Sequence, residues 1–493
     1  MAGRAPKTLP GRVLAALSGC LALAACGGSG ADAQRRPDVV LIVIDTLRAD
    51  HLSSYGYPRP TTPALDRLAA EGTRFADTTA QSAWTLPSMV SLFSGRYLSA
   101  YRDFPDPKAP ALAEVFHGAG YRTVGVVGNV LLRPEAGFGR GFDHYDARPG
   151  SQPPGDDRVR ARSIDELAQA LAGPLDEALA PGPDGGRPPL FLYLHPFDPH
   201  APYAGSPELD AELPPAEAPP VEPPTWQAEA LAALGPRPPA GEADWSRELA
   251  ELRRRRGLYD QDVRLTDDAL GRILSDLERR GVLEHAVVAV LSDHGECLYE
   301  RLGPMQRERL RGEPPATFFY QDHGAYLYEE AVRTPLILWG AGVPAGRTVQ
   351  APVENVDLFP TLLELCGVPA RGELHGRSLV PLFAGDAPAG WRATVHSHVL
   401  FSTSVREVRS GLKLIVPTEQ GEKVGVPAEL LRLPDDPREL RPIDDAPERA
   451  RLAALLAAWQ ERYPTESTFG QKPDEAGVKL LHDLGYTDTH TGR

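Results

Sequence analysis

Four apolar runs constrain this chain more than anything else in it: Asp38 to Ile44 (DVVLIVI), Pro189 to Leu194 (PLFLYL), Ala286 to Leu291 (AVVAVL) and Pro335 to Trp339 (PLILW). Each is a nearly unbroken stretch of β-branched or large apolar residues, the pattern of a strand buried on both faces. Such a sheet needs helices above and below it. Segments of helical period lie between the runs: Thr62 to Glu71, with Leu65, Leu68 and Ala69 on one face, then Leu86 to Gly95, Ala109 to Ala119, Ile164 to Leu179 and Trp245 to Arg280. A shorter strand falls at Thr123 to Val127. The alternation predicts an α/β fold, a mostly parallel sheet sandwiched by helices. The Arg253 to Arg256 run in the long helix reads as a solvated face.

The pattern breaks in two places. Among 493 residues there are 50 prolines, and they gather at about 204–244, which reads as an exposed insertion or lid. After about Gly390 the segments become short: strands at Val405 to Val416 and Gly425 to Leu433, then an amphipathic helix at Pro447 to Tyr463 with Leu452, Leu455, Leu456 and Trp459. The main domain is therefore expected over 37–390 and a small C-terminal α+β subdomain over 391–493. With 52 basic against 67 acidic residues, a net −15, the chain lacks the charge of a nucleic-acid-binding protein.

Residues 1–25 read as a leader. Arg4, Lys7 and Arg12 precede an apolar stretch, Val13 to Ala25, too short for a bilayer, which takes about 20 residues, but suited to a signal-peptide core. Leu23-Ala24-Ala25-Cys26 resembles the bacterial lipobox. That resemblance implies a lipid on Cys26, anchorage to a membrane of the cell envelope, and a tether over 26–36. A weaker match ends at Cys20, and a plain secretory signal is the alternative; all place the mature chain outside the cytoplasm. Cys297 and Cys366 remain, expected as isolated buried thiols, although sequence leaves pairing open.

Ligand sites in open α/β sheets collect at the carboxyl ends of the strands. Here those ends read Asp45-Thr46, His195-Pro196-Phe197-Asp198-Pro199-His200, and Ser292-Asp293-His294-Gly295-Glu296. Carboxylates and imidazoles on rigid backbone are what a divalent cation requires. A single aspartate there is as readily a helix cap. Thr85, just before Leu86-Pro87-Ser88, falls at or before a helix N-cap, where free N–H groups and the dipole favour an anion.

The segment from Asp38 through Tyr97, with GYRTVGVV, FDPHAPY, VLSDHGE, HGAYLYEEAVRTPLILWG, LKLIVP and ELLRLPDDPREL, resembles the sulfatase family of the alkaline-phosphatase superfamily over most of 37–463. The resemblance implies metal ligands at Asp45, Asp293 and His294, a catalytic histidine at His200, and a contact to the transferred group from His323. It puts the nucleophile, also a metal ligand, at Thr85. Sulfatases carry Cys or Ser there, oxidised to formylglycine, in a Cys/Ser-x-Pro-x-Arg motif. This chain reads Thr85-Leu86-Pro87-Ser88-Met89, so no formylglycine is expected. The second aspartate of the first metal motif is Thr46, and a Lys-containing segment is replaced by Gly128-Asn129-Val130, with Asn129 standing in as a substrate contact.

A sulfatase implies Ca²⁺, while the Asp293-His294 pair admits Mn²⁺ or Zn²⁺. The surviving set also resembles the metal site of the superfamily's phosphoethanolamine and glycerophosphate transferases, which form a phospho-threonine. The readings are therefore a sulfate-ester hydrolase, a phosphoester hydrolase or phospho-group transferase through Thr85, or a non-catalytic polyanion binder. His195 and Asp198 are expected to orient groups or contact substrate.

Overall fold

The computed structural model describes residues 35–97, 110–151, 159–183, 185–217, 245–302, 319–324, 326–423 and 426–464. The leader with Cys20 and Cys26, most of the tether, and the 218–244 part of the insertion lie outside the described residues. From Arg36 onward the chain is one compact unit. Among the described residues no helix is long and apolar enough to cross a membrane.

Strand β1 (Asp38–Ile44) is fully buried and sits between two parallel neighbours, β5 (Leu190–His195) and β6 (Ala286–Ser292). Beyond β5 come β3 (Arg122–Val127) and β4 (His144–Asp146), also parallel. Beyond β6 lies β9 (Arg333–Gly340), which runs antiparallel to β6 and to β2 (Thr73–Thr79). β10 (Arg347–Val349) and β11 (Val353–Glu354) extend β2 in parallel, giving the order β10-β2-β9-β6-β1-β5-β3-β4. The expected mostly parallel sheet is present. Its reversed strand was not foreseen, and neither was β2. The sequence TRFADTT alternates buried and half-buried positions and buries threonines where an apolar run would be sought.

Side chains alternate across a strand, so each buried run feeds two cores. Val39, Leu41 and Val43 face α2 (Thr85–Ser94), α3 (Leu112–Gly118) and α6 (Leu358–Leu365), through Met89, Val90, Phe93, Phe116 and Phe359. Val40, Ile42 and Ile44 face α1 (Pro63–Glu71), α4 (Ile164–Leu179) and α5 (Trp245–Arg279), through Leu65, Leu167, Leu171, Val263, Leu270 and Leu274.

One expectation needs correction. Arg256 is not solvated: it is 7% exposed, with Nη2 3.4 Å from His51 Nε2. The inner face of α5 covers the loop after β1. There the buried Asp260 accepts from Tyr57 Oη (2.7 Å) and pairs with His51 Nδ1 (2.7 Å) and with Arg59. The described part of the insertion, 204–217, is mostly exposed, as expected, and is anchored on α5. Leu213 is fully buried, its carbonyl accepts from Gln261 Nε2 (2.9 Å), and Ser206 N donates to Gln261 Oε1 (2.9 Å).

The C-terminal elements form an antiparallel sheet of β12 (Thr394–His398), β13 (Ser402–Glu407), β14 (Leu412–Pro417) and β15 (Glu429–Arg432), covered by α7 (Ala446–Arg462) through Leu452 and Leu456. Its other face meets the main body through Val399, Ile415 and Leu431 against Tyr326, Leu327 and Val332. Fully buried Lys413 pairs with Glu329 and Glu439, both at 2.9 Å. Cys297 and Cys366 are both buried and neither is in a disulfide.

Candidate functional site

Asp45, Asp293 and His195 leave the ends of three adjacent strands, β1, β6 and β5, and Asn129 follows β3. Ser292 Oγ joins the first two ends, donating to Ile44 O (2.7 Å) and accepting from Leu47 N (3.0 Å). Gly295 is needed for backbone approach alone: a Cβ there would lie 2.0 Å from Glu330 O. Thr85 opens α2 one position inside the helix, with Trp84 as N-cap, and Ser88 Oγ ties that turn to Asp293 O.

All of these side chains are fully buried. Asn129 Oδ1 accepts from Leu131 N (2.9 Å), which fixes the amide so that Nδ2 donates to Asp45 Oδ2 (2.7 Å) and faces Thr85 Oγ1 (3.5 Å). Its amide is thus committed to the nucleophile candidate and a carboxylate. His195 Nε2 lies 3.4 Å from Asp45 Oδ2. Asp293 Oδ1 accepts from His294 N (2.8 Å) and Thr46 N (3.3 Å). His294 Nδ1 faces Gly295 O at 2.8 Å, so that nitrogen carries the proton. Its Nε2 then accepts from Thr85 Oγ1 (3.1 Å) and lies 3.3 Å from Asp293 Oδ2.

Two carboxylates buried side by side resist ionising together. Burial, reinforced by the neighbouring Asp45 charge, pushes Asp293 well above the usual carboxylate range. For Asp45 burial is outweighed by the His195 hydrogen bond and the charges of His200, His195 and His294, which hold it low. Burial also lowers His200 and His294.

Asp45 Oδ1 and Asp293 Oδ2 have no hydrogen-bond partner, and buried anionic oxygens are ordinarily paired or bound to metal. Asp45, His195 and Asp293 bring ligand atoms within 4.8 Å of one another. That donor set fits a divalent cation. The sequence reading put His294 and Thr85 in the ligand set and His195 outside it. In the structure His294 Nε2 lies 3.8 Å from Asp45 Oδ1 and 3.3 Å from Asp293 Oδ2, Thr85 faces it, and His195 joins the two carboxylates as a further donor.

The remaining residues divide. The His323 ring lies 4.4 Å from that of His294 and 4.9 Å, edge-on, from that of His200, so both expected histidines adjoin this group. Asp198 is engaged elsewhere: its Oδ2 accepts from Ile164 N (2.8 Å) at the start of α4. Two residues were given no role from sequence. Thr46, beside Asp45, has φ +54° and a buried hydroxyl without a hydrogen-bond partner, a left-handed conformation rare for a β-branched residue. Glu296 is fully buried beside His323.

The protein-family model Sulfatase matches residues 37–368, and that of N-sulphoglucosamine sulphohydrolase, C-terminal, matches 318–463. The chain is 24% identical over 469 residues to an N-acetylglucosamine-6-O-sulfatase of Bacteroides thetaiotaomicron, covering 80% of this chain and 79% of that protein. A phosphonate monoester hydrolase of Agrobacterium radiobacter shares the fold, with a TM-score of 0.65 and 22% identity over 90% of this chain and 99% of that one. So does a protein solved with its substrate D-glucosamine-2-N,6-O-disulfate, with a TM-score of 0.65 and 20% identity over 89% of this chain and 100% of that one. With its helix-sandwiched sheet and the carboxylates gathered at its strand ends, the chain belongs to the sulfatase family, hydrolases that act on sulfate esters.

Proposed function

We propose that the chain hydrolyses a sulfate ester at the buried group between β1, β5, β6 and the start of α2, with Thr85 as the attacking group. The observation that carries this reading is the 3.1 Å contact between Thr85 Oγ1 and His294 Nε2 beside the buried acid pair. A divalent cation held by Asp45, His195 and Asp293 would offset their charge and polarise the ester oxygen, and the mixed oxygen and nitrogen donors suit Mn²⁺ or Zn²⁺ better than Ca²⁺.

The chain's own residues then divide the work. Asn129 orients the Thr85 oxygen. As Oγ1 bonds to sulfur, its proton passes to His294 Nε2 and the bond from sulfur to the alcohol oxygen breaks. That oxygen takes a proton from the imidazolium of His323, whose ring adjoins that of His200. Water then attacks the sulfo-threonine, giving its proton to the now neutral imidazole, and Thr85 leaves with the proton held by His294. The dipole of α2 favours the anion throughout.

The test is accurate-mass spectrometry of protein quenched during turnover of an aryl sulfate. An adduct of about 80 Da on the Thr85 peptide supports the reading; turnover with that peptide unmodified refutes it. A second reading, a phosphoester or phosphonate substrate and a phospho-Thr85, is favoured by threonine standing where formylglycine would be. It is told apart by the adduct appearing only with an aryl phosphate or phosphonate. Binding of sulfated glycan with no turnover of any ester would make the chain a polyanion binder. We also propose export and lipid anchorage at Cys26; Cys26→Ser should then move the protein from the membrane fraction to the soluble one.

A further inference from the structure

Beside the reacting groups lies a carboxylate that the proposed chemistry does not use. Glu296 follows Gly295 where the chain leaves the end of β6, and its backbone N–H is held by Glu330 O (3.1 Å). Its carbonyl accepts from Arg48 Nη1 (3.0 Å), itself bound to Asp50. The side chain is fully buried, and Oε1 accepts from Cys297 N (3.2 Å) and lies 3.3 Å from His323 Nδ1. Tyr203, His200 and His294 also face it, beside the buried Cys297, Leu298 and Ala331. A carboxylate in such surroundings needs a donor.

His323 needs an outside support as well. It follows the end of β8 (Phe319–Asp322), a strand paired with β7 (Cys297–Leu302), and precedes Gly324 at φ +83°. It therefore sits on a turn, and side chains on loops are held less sharply than those on strands or helices. Its ring nevertheless stands between those of His200 and His294.

We propose that Glu296 is the positioning residue of His323. Its carboxylate accepts the Nδ1–H and so selects the tautomer and the ring orientation. Nε2, on the far edge of the ring, is left to exchange a proton with the reacting ester. The ester-hydrolysis reading supplies what His323 does; how it is held stands on the Glu296 contact alone.

The experiment is long-range ¹H–¹⁵N correlation on full-length protein labelled at histidine nitrogen, with His323 assigned by His323→Gln. The expected wild-type spectrum shows His323 protonated at Nδ1. Glu296→Gln, whose amide oxygen can still accept, keeps that tautomer, and Glu296→Leu loses it. On an aryl sulfate, Glu296→Leu should lower kcat roughly 10- to 100-fold with KM within about threefold, and Glu296→Gln should recover part of the loss. A wild-type His323 without a proton at Nδ1, or an unchanged tautomer in folded Glu296→Leu, overturns the inference. If Glu296→Leu does not fold, the wild-type and Glu296→Gln spectra decide it, loss of the Nδ1 proton in either being the overturning result. If wild type hydrolyses no ester, the functional reading fails while the spectra still settle how His323 is held.

Discussion

Thr85 Oγ1 stands 3.1 Å from His294 Nε2, and the imidazole is held from its other edge by Gly295 O at 2.8 Å. The threonine hydroxyl therefore meets an acceptor nitrogen inside a site closed to solvent. Thr85→Val keeps the shape and removes the hydroxyl. It should reduce kcat by roughly 10³-fold or more, while Thr85→Ser stays active. Thermal unfolding should change little in either, which separates a lost nucleophile from a lost fold.

Asp45 Oδ1 and Asp293 Oδ2 leave room for a cation and repel one another without it. Adding Mn²⁺ or Zn²⁺ to chelator-treated protein should raise its stability by about 2.7 kcal/mol at a hundredfold excess over Kd. Differential scanning calorimetry reads the effect as a rise in Tm. Asp293→Asn should erase the metal-dependent rise, and a rise of unchanged size would place the cation elsewhere.

Asp198 holds the first turn of α4 through Ile164 N. Asp198→Ala should therefore cost about 1 kcal/mol in urea unfolding, the usual loss for a helix-start acceptor. Turnover per folded molecule should stay near wild type. A large fall in kcat/KM would instead make Asp198 a substrate contact.

Lys413 is buried between Glu329 and Glu439 and links the C-terminal sheet to the turn before β9. Lys413→Met keeps the volume but strands two carboxylates. The expected loss is about 3–5 kcal/mol, read from the denaturant midpoint.

His396 and His398 are buried on β12, and the His396 ring is stacked 4.4 Å from Trp459 of α7. Burial, with the Arg392 charge adding to it, pushes His396 down to about 3, and burial pushes His398 down to about 4. Both start from 6.5, so between that pH and their folded values the unfolded chain binds more protons and stability falls as pH falls. At pH 5 each histidine should remove about 2 kcal/mol relative to pH 8. His396→Phe, which keeps the stack, should abolish about half of this drop in urea titrations at the two pH values.

The strands that carry the site were legible because they are buried on both faces and spell it out in apolar runs. β2 was not, since it buries threonines, and the direction of β9 leaves no mark in PLILW. Asp45, Asp293 and His294 could be read from strand ends and from the family resemblance. The membership of His195 could not, because which imidazole meets a carboxylate depends on β5 lying beside β1. The contact of Asp198 could not be read either, because its carboxylate meets the start of a helix 34 residues upstream. Within the Arg253 to Arg256 run only Arg256 departs from a solvated face, because His51 and Asp260 are buried beneath it.

β1 and β6 are paired so that Ile44 lies opposite Ser292, which makes Asp45 and Asp293 the next rung of the same ladder. Neighbouring strands lie about 4.8 Å apart, so the backbone ladder itself sets the gap between the two carboxylates. A slip of one residue would turn one of them to the opposite face of the sheet. Metal affinity in this chain is thus a gauge of strand register. Backbone amides of β1 and β6 should exchange with solvent only through global unfolding, and the cation site should be lost at that same step rather than by local fraying.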